Sequence, residues 1–193
     1  MFLGELPKNV IIIDVNFLNA VTKETLEFYT KSKPEKKFEP YNLGEIIYMI
    51  AQSAKINVKG EKIDVILAYN SSYNELYFCQ QEAPTNFIEG MSMETDIGNF
   101  NVRSFFGEQD DTSNVRNTRE IIDLARSDDH VENIIIVADN AELNDTVQEI
   151  LNEQKQNVFM FKLYRGTQIT ADVYYVNFEH IVAFSLGLTR EEL

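Results

Sequence analysis

Two short stretches carry acids and amides where a buried strand gives out. The first is Val10-Ile11-Ile12-Ile13-Asp14-Val15-Asn16, and the second is Ile134-Ile135-Ile136-Val137-Ala138-Asp139-Asn140-Ala141-Glu142. An acid at the carboxyl end of a buried strand is usable chemistry. Several such acids in one cleft hold Mg or Mn, which want oxygen ligands and keep several waters, so a few carboxylates suffice. The ion then activates a water and neutralises a phosphate during hydrolysis. Asp14, Asp139 and Glu142 are the candidate catalytic acids. Asp14 and Glu142 are the first candidate metal ligands, with Glu120 a weaker third. Asn16 and Asn140 are candidate substrate contacts.

Each residue has a competing structural use. Asp14 would equally serve to cap the loop or turn after its strand, and Asn16 to form an Asx-turn. Acids near Glu142 and Asp145 suit the positive end of the helix that starts nearby. Glu120, on an amphipathic helix, reads as readily as a solvated residue. Asp110-Asp111 and Asp128-Asp129 read as loop or capping acids, and Asp64 stands at the wrong end of its strand for this cleft. Tyr69, Tyr73, Tyr77 and Phe78 would stack on bases or pack an edge. Cys79, with no His near it in sequence, reads as a packing residue.

The elements that must position these groups follow from periodicity. Asn9 to Asp14, Ile63 to Tyr69, Phe100 to Phe106, Ile134 to Val137, Asn157 to Leu163 and Ala171 to Asn177 read as strands. Glu75 to Cys79 reads as a strand returning from a turn at Asn70 to Asn74, an added antiparallel hairpin. Helices are expected over Thr22 to Thr30 with Thr22 as N-cap, from Asn42 with Glu45 completing a capping box, over Thr118 to Arg126, from Leu143 to about Lys155, and over Phe178 to Leu186 with Gly187 closing it. Thr85 to Gly90 reads as one helical turn. The order β-α-α-β-β-β-α-β-α-β-β-α predicts an α/β three-layer sandwich around a mostly parallel, Rossmann-like sheet, with 1-193 as a single domain. Right-handed crossovers put the strand carboxyl ends on one edge.

Composition narrows the function classes. Of 193 residues, 44% are hydrophobic and 25% charged, ordinary for a globular chain, but the net charge is −14. Such a surface repels phosphate backbones at long range, which counts against broad nucleic-acid binding. The single cysteine excludes an internal disulfide framework, and no Cys/His spacing suits zinc. No stretch is apolar enough for a membrane span and no export signal is visible, so a cytoplasmic protein is expected.

The two strand ends resemble those of the NYN and PIN-like ribonuclease domains. Ile13-Asp14-Val15-Asn16-Phe17-Leu18 is similar to that family's first strand end, an acid with Asn two positions on. Ala138-Asp139-Asn140-Ala141-Glu142-Leu143 resembles its later Ser-x-Asp-x-Asp-Phe type motif. The resemblance implies that Asp14 is a metal ligand and that Asn140 and Glu142 stand at the family's two later acids, with the middle-helix acid near Glu120. It implies a Mg- or Mn-dependent RNA phosphodiesterase. Asn140 is neutral where the family has an acid, and Ala138 lacks the hydroxyl. Those departures imply instead a non-catalytic member that acts through a protein partner or self-association.

Overall fold

The computed structural model describes residues 6–70, 75–82, 84, 91–95, 98–106, 114–163 and 174–193. Among the described residues, seven strands form one sheet: β1 (Asn9–Asp14), β2 (Lys62–Tyr69), β3 (Met91–Thr95), β4 (Gly98–Phe106), β5 (Asn133–Val137), β6 (Asn157–Lys162) and β7 (Tyr174–Asn177). Their order across the sheet is β3-β4-β2-β1-β5-β6-β7. All neighbours are parallel except β3, which runs antiparallel along the outside of β4. The expected α/β sandwich is therefore the architecture of the protein.

The central strands are apolar throughout because both faces are covered. Ile11 and Ile13 of β1 enter one core with Ile135 and Val137 of β5, beneath α1 (Val15–Ser32), α2 (Leu43–Ser53) and α5 (Phe178–Ser185). Val10 and Ile12 enter the other with Ile134 and Ile136, beneath α3 (Val115–Arg126) and α4 (Asn144–Glu153). A strand buried on both sides reads as a continuous apolar run instead of alternating.

Three strands start with asparagine at the same level. Asn157 Nδ2 donates to Asn133 Oδ1 (2.9 Å), and Asn133 Nδ2 donates to Asn9 Oδ1 (2.8 Å). Asn9 Nδ2 ends the row on Glu61 Oε2 (3.4 Å). One position further along β2 from the residue paired with Asn9, Asp64 is fully buried. Arg103 Nη2 stands 3.0 Å from its Oδ2, and Asn101 Nδ2 donates to its Oδ1 at 3.0 Å.

Three expectations change. The first helix starts at Val15, not Thr22. Asp14 caps it directly from the strand, and Thr22 lies inside it, its hydroxyl donating to Leu18 O (2.8 Å). Val15, Leu18, Val21, Thr22, Thr25 and Tyr29 form the buried stripe, and its two threonines obscured the helical period. Next, Glu75 to Cys79 is no returning strand. Its backbone is held by a side chain: Asn19 Nδ2 donates to Glu75 O (2.9 Å), and Tyr77 N donates to Asn19 Oδ1 (2.8 Å). Phe78 adopts φ 57°, which breaks extension, and only Tyr41 and Cys79 bridge. The antiparallel addition is the β3–β4 pair. Last, Asn42 caps α2 by accepting from Gly44 N, while Glu45 is exposed and returns no side-chain bond.

Ile46, Ile47, Ile50, Ala51 and Ala54 are buried on α2 as expected. On β4 the inward set is Phe100, Val102 and Ser104, whereas Phe106 is 38% exposed. Gly187 has φ 84° just past α5, a left-handed position that glycine takes without a Cβ clash. Tyr73, the Thr85 to Gly90 turn and Asp110-Asp111 lie outside the described residues.

Candidate functional site

β1 and β5 are adjacent and in register, Ile13 beside Val137, so Asp14 and Ala138 leave the sheet side by side. The helices that follow them depart to opposite faces, α1 to one and α4 to the other. This is the point where the strand order reverses, and open α/β sheets bind ligands in the crevice formed there. The two sequence stretches leave the sheet at adjacent strand ends.

Asp14 is 5% exposed and is held from three directions. Its Oδ1 accepts from Asn16 N (2.9 Å), Phe17 N (3.2 Å) and Asn114 Nδ2 (2.8 Å). The two backbone bonds are an N-cap, which satisfies donors that the first turn of α1 would otherwise leave bare. Asn16 thus meets Asp14 through its backbone from inside α1.

Asn114 and Asn117 complete this cluster, and sequence reasoning missed both. Asn114 is fully buried, in the left-handed conformation (φ 57°, ψ 1°), at the N-terminus of α3. Its Nδ2 also donates to Ala68 O (2.7 Å), while its Oδ1 accepts from Asn117 Nδ2 (3.1 Å). Asn117 Nδ2 donates in turn to Tyr69 O (3.0 Å). An amide carbonyl facing Asp14 and Ala68 O would meet two acceptors, so these bonds fix which way Asn114 lies. The usable signal was an Asn directly before an apolar period, followed by another three residues on, but both fell against a polar acidic loop.

The other predicted residues stand apart from this cluster. Asn140 Oδ1 accepts from Glu142 N (2.9 Å), capping a short 3-10 turn at Ala141–Leu143. Asp139 and Glu142 are exposed. Arg119 Nη2 donates to Glu142 O (2.7 Å), tying α3 to that turn across the crevice mouth. Glu120 is exposed beside Arg116, Asp123 and Leu124 in a shallow hollow of α3.

Three N–H groups converge on Asp14 Oδ1, and the start of the middle helix brings the amides of Asn114 and Asn117 beside it. Among the described residues, no three His, Cys, Asp or Glu side chains come together to hold a metal. What the cluster does is tie the end of β1 to the starts of α1 and α3 with directed hydrogen bonds.

No curated protein matches the chain, and no solved structure matches it. A family profile covers residues 4–193, and by it the chain belongs to the family described as a "Family of unknown function (DUF6621)".

Proposed function

We propose that this chain is a non-catalytic PIN/NYN-like module that acts by binding a protein partner or a second copy of itself. The observation that carries this reading is the trio of N–H donors on Asp14 Oδ1. They assign to structure the carboxylate that would anchor a metal. The net charge of −14 supports a protein partner over a nucleic acid, because it opposes any phosphate backbone.

The test is a Mn²⁺ titration by calorimetry on wild type and Asp14→Asn. We expect no saturable binding by either protein up to millimolar metal. Saturable binding by the wild type that disappears in the variant would overturn the reading.

One observation favours the other reading, a Mg- or Mn-dependent RNA phosphodiesterase. Asp14 and the Asp139-to-Glu142 stretch do emerge side by side at the crevice. In that case Mn²⁺-dependent cleavage of single-stranded RNA would be seen in the wild type and lost in Asp14→Asn.

A further inference from the structure

Past α5 the chain bends at Gly187 and lays residues 188–193 back against α1. Leu188 N donates to Ala183 O (3.1 Å), and the Leu188 side chain is buried against Tyr29 and Ala183, with Phe38 packed beside them. This small apolar cluster is separate from the two cores around the sheet. Thr189, Arg190, Glu191 and Leu193 are exposed. The segment closes on itself: Glu192 N donates to Thr189 O (3.1 Å), and Thr189 N donates to Glu192 Oε2 (2.8 Å).

One lysine from the loop after α1 ties this segment down. Lys36 Nζ donates to Gly187 O (2.9 Å), to Glu192 Oε1 (2.8 Å) and to Glu192 Oε2 (2.7 Å). The two side chains are only 24% and 27% exposed, so water screens this pair less than one on the open surface. Hydrogen bonds between ionised groups are also the stronger kind. The Lys36 bond holds the Glu192 carboxyl well below its ordinary range, at about 2, so mild acid leaves the pair intact. Beneath it, Phe28 stands edge-on to Tyr29 at 5.0 Å and is 61% exposed. A single exposed ring is ordinary. With Leu188 lifted away, however, Tyr29, Phe38 and Ala183 would join Phe28 in one apolar patch, and contiguous patches mark contact sites.

We propose that residues 188–193 are a strap, latched by the charge of Lys36, over an apolar patch on α1 and α5. Loss of that charge, or its capture by another carboxylate, opens the strap and leaves the sheet folded. Gly187 is the hinge: its left-handed backbone suits glycine, and its Cα faces open space.

Hydrogen exchange on the full chain, read amide by amide by NMR, tests this. In Lys36→Gln the Leu188, Thr189 and Glu192 amides are expected to exchange about tenfold faster than in wild type, as loss of a hydrogen bond to a charged group predicts. The amides of β1 and β5 should keep their rates. Lys36→Arg, which retains the charge, should stay within about twofold of wild type. Raising NaCl to about 1 M should speed the strap amides of the wild type and not those of Lys36→Gln, because salt screens an ion pair and not a neutral contact. Strap rates in Lys36→Gln within about twofold of wild type would overturn the latch. Equal acceleration in β1 and β5 would also overturn it, since the lysine would then support the whole fold. So would a Lys36→Arg strap as loose as that of Lys36→Gln, because shape and not charge would be the hold. The cover has its own readout: Nile red emission should rise in Lys36→Gln. A strap that exchanges faster with no gain in emission would mean that no apolar patch lies beneath it, and the proposal would fail.

Discussion

Asn114→Ala is expected to lower the free energy of unfolding by about 3–5 kcal/mol. The loss has two parts. Removing the amide takes a donor from Asp14 and from Ala68 O and leaves Asn117 Nδ2 with Tyr69 O as its remaining acceptor of the two, all in a buried site. A buried group left without its partner costs about 1–3 kcal/mol. Alanine must also hold the left-handed backbone of this position, at roughly 1–2 kcal/mol. Asn114→Gly separates the parts: it loses the same bonds but accepts the backbone, and should recover about 1 kcal/mol. Urea denaturation of the three proteins measures both differences. If both variants unfolded within a few tenths of a kcal/mol of wild type, the cluster would not be the structural closure described for it.

Arg103→Met should have an effect of similar size by a different route. Asp64 is fully buried, and the guanidinium 3.0 Å away is its charged partner. Removing one partner of a buried ion pair strands the other charge, at about 3–5 kcal/mol. The double variant Asp64→Asn/Arg103→Met removes both charges and keeps an acceptor for Asn101. It should return to within about 2 kcal/mol of wild type. A single variant that lost under about 1 kcal/mol would mean that Asp64 is stabilised by something other than Arg103. That pair lies near the amino end of β2, away from the crevice, as the position of Asp64 in its strand suggested.

The frame was legible because it is written in apolar runs. Ile11 to Ile13 and Ile134 to Ile136 have no polar face, so they had to lie between two layers, and both runs are central strands with a core on each side. Junctions were harder. Asp14 ends a strand and caps a helix at once, with no glycine or proline to mark the change. Glu75 to Cys79 has strand composition, but Asn19, more than fifty residues away, takes over its backbone. The crevice was legible as a place and not as a chemistry. Asp14 was found from its strand, whereas the amides that define its role, Asn114 and Asn117, come from an element on the opposite face. No local pattern reveals a partner brought in by a crossover.

The row from Asn157 through Asn133 and Asn9 to Glu61 acts as an alignment mark for the sheet. The strands behind it, Val-Ile-Ile-Ile, Ile-Ile-Ile-Val and Val-Phe-Met-Phe, are nearly interchangeable to a hydrophobic core. Sliding one strand by two residues would keep every side chain on its proper face, so burial alone discriminates weakly against the slip. Such a slip would press an asparagine against an isoleucine or a phenylalanine and strand an amide on each side. The row makes the shifted pairings unequal to the native one, and its three asparagines do so as neutral groups, so their share of the discrimination does not fade with salt or with pH.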